Sequence, residues 1–160
     1  MKTQLFITGF ILMLLTGNCK KENENPKVIE SFSISYKRSS AWVDYSYSAI
    51  VDHTGLLQIT EKSGLSLVNR KSAYHLDNSD IQLIKDKLSS LINIDVKDSY
   101  GFGNKNAPTD LPVTRLIYHT TYKSDSTTLY FPGENEMPLQ FESFFSTISQ
   151  VITKNDTIKK

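Results

Sequence analysis

The sequence predicts an α+β domain, an antiparallel sheet of four to six strands with two helices packed on one face. Three observations lead there. Segments alternating apolar and polar residues occupy both halves of the chain, and apolar residues recur at helical spacing over 79–92 and again over 138–152. The order is therefore strands, helix, hairpin, helix, and each helix has an apolar stripe that a sheet can cover.

Phe32, Ile34 and Tyr36 alternate with Ser31, Ser33 and Ser35, a period of two that gives a strand with one buried face. Val43, Tyr45, Tyr47, Ala49 and Val51 repeat the pattern around Asp44, Ser46 and Ser48. Asp52, His53, Thr54 and Gly55 supply turn chemistry, and Gly55 suits the left-handed position that closes a short hairpin. Leu57 and Ile59 carry a third strand. A further extended segment is expected over about 67–76, separated from its neighbour by Ser63 and Gly64.

Ser79 and Gln82 fit a capping box, with Ile81, Ile84, Leu88, Leu91 and Ile92 following at helical spacing. Residues 100–108 read as an irregular polar loop containing Gly101 and Gly103. Asp110, Leu111 and Pro112 lead out of it. Asp110 is read as a turn former, because its carboxylate can bond nearby amides, and Pro112 holds Leu111 extended. Strands are expected over 113–122 and 127–131. Pro138 then starts a helix whose stripe is Phe141, Phe144, Phe145, Ile148, Val151 and Ile152. From Lys154 onward the chain is basic and polar, and 153–160 is expected to fray as a tail.

The start of the chain has a different character. Lys2, an apolar run over 5–15, and then Thr16, Gly17 and Asn18 precede Cys19, the only cysteine. Charged region, apolar core and small-residue step form the order of a secretory signal. The run is about half the roughly 20 residues that a membrane-spanning helix needs. Leu15 to Cys19 resembles the lipobox of Bacteroidetes lipoproteins, with Asn18 where enterobacterial examples carry Gly, Ala or Ser. The resemblance implies a signal peptide over 1–18, a diacylglyceryl group on the Cys19 sulfur and acylation of its amine with palmitate-type chains, which together anchor stably. Residues 19–27, beginning with Cys19, Lys20, Lys21 and Glu22, contain no apolar stretch and are read as a flexible tether. Lysine followed by acidic residues at this place also resembles a surface-export signal of the same lipoproteins.

Removing residues 1–18 from the 160 leaves 142, the size of one domain, placed here at 28–152. Taking Lys2 from the 18 basic residues leaves 17 against 17 acidic ones, which argues against a nucleic-acid partner.

The turn at Asp52 and Gly55, the capped helix, Tyr100 and the step from Asp110 to Pro112 resemble, over about residues 28–152, a family of envelope domains classed only as a domain of unknown function. The resemblance implies the fold and no activity. Family members often carry two cysteines after the first strand, where this chain has Arg38, Ser39, Ser40, Ala41 and Trp42. Ser126 after Asp125 and Thr157 after Asp156 also resemble short O-glycosylation patterns of Bacteroidetes secreted proteins.

His53, His75 and His119 lack zinc-type spacing, so no metal and no cofactor is expected. Nucleophile-elbow and phosphate-loop motifs are missing as well. The expectation is a non-enzymatic binding domain on a lipid anchor in a bacterial envelope, at the outer membrane and facing periplasm or surface. A protein or glycan partner would be met through Phe102, Tyr100 and Trp42, and the membrane through Cys19. The alternatives are a hydrolase using dispersed carboxylates or His53, and a purely structural envelope component.

Overall fold

The computed structural model describes residues 27–40, 44–64, 68–101, 112–130 and 137–157. Alternation in the sequence becomes seven strands: β1 (Phe32–Ser40), β2 (Tyr45–Asp52), β3 (Leu56–Ser63), β4 (Val68–His75), β5 (Ser99–Tyr100), β6 (Val113–Thr120) and β7 (Ser124–Tyr130). They form one sheet in the order β4-β3-β2-β1-β6-β7-β5. Helix α1 (Asn78–Ser90) follows β4, and α2 (Leu139–Thr157) follows β7.

The α+β expectation holds in its coarse form, two helices on a sheet, and its detail is corrected. The sheet has seven strands and is mixed, because β5 runs parallel to β7. Two residues carry no periodicity, so β5 leaves no pattern in the sequence. At the β7–β5 junction Gly101 has a φ of +90°. A Cβ at that glycine would stand 1.9 Å from the Tyr130 carbonyl oxygen.

Gly55 adopts the expected left-handed conformation, with φ of +81°. Its N–H donates to the Asp52 carbonyl at 2.9 Å, and the Asp52 carboxylate accepts from Thr54 N–H at 2.9 Å and Thr54 Oγ1 at 2.6 Å. These bonds hold the Asp52 carboxyl below the usual carboxylate range, the Thr54 hydroxyl most of all.

Helix α1 starts differently from the capping box expected at Ser79. Asp77 is the N-cap, accepting the Asp80 N–H at 2.8 Å, and Ser79 Oγ donates to the same carboxylate oxygen at 2.6 Å. An acceptor two residues earlier has the better reach to the free amides, so the helix begins at Asn78. It ends at Ser90, with Leu91 as C-cap and Ile92 outside.

Helix α2 extends to Thr157, so the expected tail from 153 is helical to that point. Ion pairs hold its final turns: Lys154 with Asp80 at 3.0 Å and Asp77 at 3.3 Å, and Asp156 with Arg70 at 2.6 Å. At 1.5 Å per residue its 19 residues span roughly 28 Å, about the width of seven strands. The helix crosses the sheet accordingly. Phe141 stacks on Tyr100 of β5 (5.5 Å), Phe144 meets Tyr118 of β6 edge-on (5.4 Å), Phe145 stacks on Tyr36 of β1 (6.1 Å), and Asp156 reaches β4.

The registers put Ile34, Val51 and Leu57 on the same face as Tyr118, and all four are buried with Ile84 and Leu88 of α1 and Ile148 of α2. Both helices cover this one face. No helix among the described residues is long and apolar enough to cross a membrane.

Candidate functional site

Among the described residues, one face of the sheet has no covering layer. Serine, threonine and basic residues fill the alternate strand positions there, beginning with Ser33, Ser35, Lys37 and Ser39 of β1. The phase that buries Ile34 and Tyr36 turns these side chains outward. At the centre of this face Lys37 of β1 stands directly opposite Arg115 of β6. Like charges opposite each other across an antiparallel pair destabilise a sheet.

Neither cation has a carboxylate partner among the described residues. Arg115 Nε and Nη2 lie 3.4 Å from the Ser126 hydroxyl, and Lys37 is exposed. The pair lines an open groove of about 300 Å³ together with Ser39, Ser46, Ser48 and Thr128. Arg38, Tyr47 and Val113 complete the lining, much of whose surface is apolar; it has no carboxylate, and its cationic and hydroxyl groups suit an anionic, hydrogen-bonding ligand.

On the covered face, at the far end of α2, a second cleft of about 200 Å³ is lined by Tyr36, Arg38, Tyr45, Tyr47, Thr153 and Asp156, among others. Arg70 pairs with Asp156 of its lining. The guanidinium donates Nε and Nη2 to Glu61 Oε2 at 3.0 and 2.8 Å, and Nη1 and Nη2 to the two Asp156 oxygens at 2.6 and 2.9 Å. Two carboxylates push the Arg70 pKa above its already high value, Asp156 more strongly. Tyr45 and Tyr47 direct their hydroxyls to Glu61 and Asp156 at 3.5 Å. Burial, reinforced by the neighbouring carboxylate, raises both phenols. The tyrosines pack beneath the helix with their hydroxyls at the rim, the usual position for such residues in a covered strand. An internally paired network thus lies beside the cleft, joined to its lining through Tyr45, Tyr47 and Asp156.

Of the residues expected to bind a partner, Tyr100 alone lies among the described residues. Tyr100 lies in the core: it is 2 % exposed, its ring stacks on Phe141, and its hydroxyl accepts the Lys97 N–H at 3.1 Å. Loop chemistry around it concealed a core residue, because β5 is too short to show its phase. Phe102, Trp42, Asp110 and Cys19 lie outside the described residues. Pro112 directly precedes β6, and Ser126 is half-buried beside Arg115.

His53 is exposed on the β2–β3 turn, and the adjacent Asp52 carboxylate is taken up by Thr54 and Leu56 amides. His119 Nδ1 lies 2.5 Å from Ser124 Oγ, its cross-strand neighbour. Among the described residues no three His, Cys, Asp or Glu side chains group to hold a metal. Lys37 and Arg115 escaped notice in the sequence because their juxtaposition depends on register. The available clue was phase, since Lys37 continues the Ser31, Ser33, Ser35 positions of its strand. No protein-family model matches this chain, and no curated protein matches it.

Proposed function

We propose that this chain is a lipid-anchored protein of a bacterial envelope whose domain binds an anionic partner, without catalysis, through the open face of its sheet. The observation that carries the binding reading is the opposition of Lys37 and Arg115 in a groove lined by hydroxyls. Such a pair costs stability in the free fold, and an anion between the two cations would remove that cost. The anchor rests on the order of residues leading to Cys19, and the resemblance to outer-membrane lipoproteins and envelope domains supports the location.

Two measurements test the proposal. Mass spectrometry of the N-terminal peptide from membranes should find residues 1–18 removed and Cys19 diacylglycerylated; a free thiol there sinks the anchor. Domain immobilised on a resin should retain anionic polymers or acidic proteins from envelope extracts, and Lys37→Glu should release them. Equal retention by that variant sinks the face.

A hydrolase is the runner-up, favoured by the short contact between His119 and Ser124. Hydrolysis of envelope polymers that vanishes in Ser124→Ala would put it first.

A further inference from the structure

The groove at Lys37 and Arg115 is the middle of a longer feature. In the strand registers, Lys37 stands opposite Ser48 on β2, Ser48 opposite Thr60 on β3, and Thr60 opposite Lys71 on β4. On the other side, Arg115 stands opposite Thr128 on β7, and Thr128 opposite Ser99 on β5. One transverse row therefore crosses all seven strands, every position cationic or hydroxylic. Six steps of about 4.8 Å make it roughly 29 Å long.

Next to this row, on one side, Ser39 faces Ser46, Ser46 faces Lys62, and Lys62 faces Asn69. On the other side Ile50 and Ile117 flank Ser35, and Ile50 is 42 % exposed. The strand positions of this face hold four lysine and arginine side chains, Lys37, Lys62, Lys71 and Arg115. Among the described strand positions of this face the one carboxylate is Asp52, at the end of β2, and the Thr54 turn occupies it. The strand positions of this face are positive although residues 28–152 carry 11 basic against 14 acidic side chains.

We infer that this row is a track for a linear acidic polysaccharide, one bearing carboxylate or sulfate groups. The inference rests on the reading of the domain as a binding module and names its ligand class. Linearity is the first argument, because the cations lie along a line with hydroxyls between them, so a chain laid across the strands meets a charge at the centre and another at the β4 edge. The second is chemistry. Serine and threonine hydroxyls both donate and accept, which matches sugar hydroxyls, and the exposed Ile50 side chain offers an apolar surface to a ring face. A lipid surface carries similar anions, but it is a plane and cannot enter the groove between Lys37, Ser48 and Arg115.

Titration calorimetry with the intact domain tests the track, using polygalacturonate, dextran sulfate, neutral dextran and phosphatidylglycerol vesicles as probes. Binding is expected to one or both acidic polymers, to weaken as salt rises, and to be undetectable with neutral dextran. Replacing Lys37 and Arg115 together by threonine, a good strand former, should lower polymer affinity by roughly tenfold or more without loss of thermal stability. Removing a charge from the helix layer by Lys85→Gln should leave it unchanged. Lys71→Thr should weaken long galacturonate oligomers and spare the dimer, which cannot reach β4 from the central pair.

Vesicle binding equal to polymer binding overturns the inference in favour of a membrane surface. Equal affinity of the double variant, or equal loss in Lys71→Thr for dimer and polymer, overturns it too. If neither acidic polymer binds while the domain still retains an envelope partner released by Lys37→Glu, the track fails and the binding reading stands.

Discussion

Arg70 of β4 grips Asp156, in the last turn of α2, through two parallel hydrogen bonds of 2.6 and 2.9 Å. The sequence places these residues 86 apart, and the fork geometry of the guanidinium matches the carboxylate in a way an ammonium cannot. With the Lys154–Asp80 pair beside it, this contact ties the end of the helix to the β1–β4 half of the sheet. Arg70→Lys keeps the charge and loses the fork. It is expected to cost about 2 kcal/mol and to fray the last turn of α2, seen as faster amide exchange near 153–157 with the rest of the helix protected.

Lys37→Glu has the opposite sign. A carboxylate facing Arg115 turns a repulsive cross-strand pair into an attractive one, worth about 0.5–1 kcal/mol. Chemical denaturation should show the variant more stable than wild type, while its binding of anionic ligands falls. A variant that gained stability and kept its affinity would separate the two cations from binding.

Gly55→Ala tests the first hairpin. At φ of +81° an alanine is strained, and its Cβ would stand 2.6 Å from Ile81 Cδ1. The side-chain end of Ile81 can move, but the backbone strain cannot be relieved that way. A loss of about 1–2 kcal/mol is expected from thermal unfolding.

Asp77 gives a pH signature. Hydrogen bonds from Ser79 and from the Asp80 amide, aided by Lys154, lower its carboxyl pKa to about 2. A depressed acid stabilises the fold above its unfolded value, near 4, and that contribution is lost as pH falls through about 2. Asp77→Asn can still cap the helix and does not titrate. The gap in thermal midpoint between wild type and this variant should therefore be constant at neutral pH and close between pH 4 and 2.

Ile84 is fully buried where α1 meets the sheet. Ile84→Ala should cost about 2–5 kcal/mol, and Ile84→Asp should prevent folding; unchanged melting of either would place the stripe outside the core.

The strands with clear alternation, β1, β2 and β6, and the apolar stripes of both helices were legible because period and burial are one property seen twice. Gly55 was legible because its turn needs a residue tolerant of positive φ. Helix ends were harder. Ser79 and Asp77 both satisfy the local rule for a cap, and only geometry decides between them. The end of α2 was missed because Lys154 and Asp156 look like a solvated tail until Asp80 and Arg70 face them. The burial of Tyr100 was hidden for the same reason, being set by Phe141, 41 residues on. The open face suffered most, since Lys37 and Arg115 are ordinary surface residues in sequence and become a pair only through register.

The central place of β1 has a further consequence, for the order in which the protein can assemble. β1 through β4 form a local meander, whereas on its other side β1 faces β6, and at that seam the Ser31 amide bonds Thr121 Oγ1 across 90 residues. Contacts so distant pay the entropy of closing a long loop before they return any stabilisation, so the seam should close late. Until it does, β1 is a bare edge, with Phe32, Ile34 and Tyr36 lacking both their neighbour strand and the helix that later roofs them. An incomplete chain is then a strand-pairing hazard rather than an inert fragment, and it would profit from a chaperone that shields that edge until the last turn of α2 has arrived.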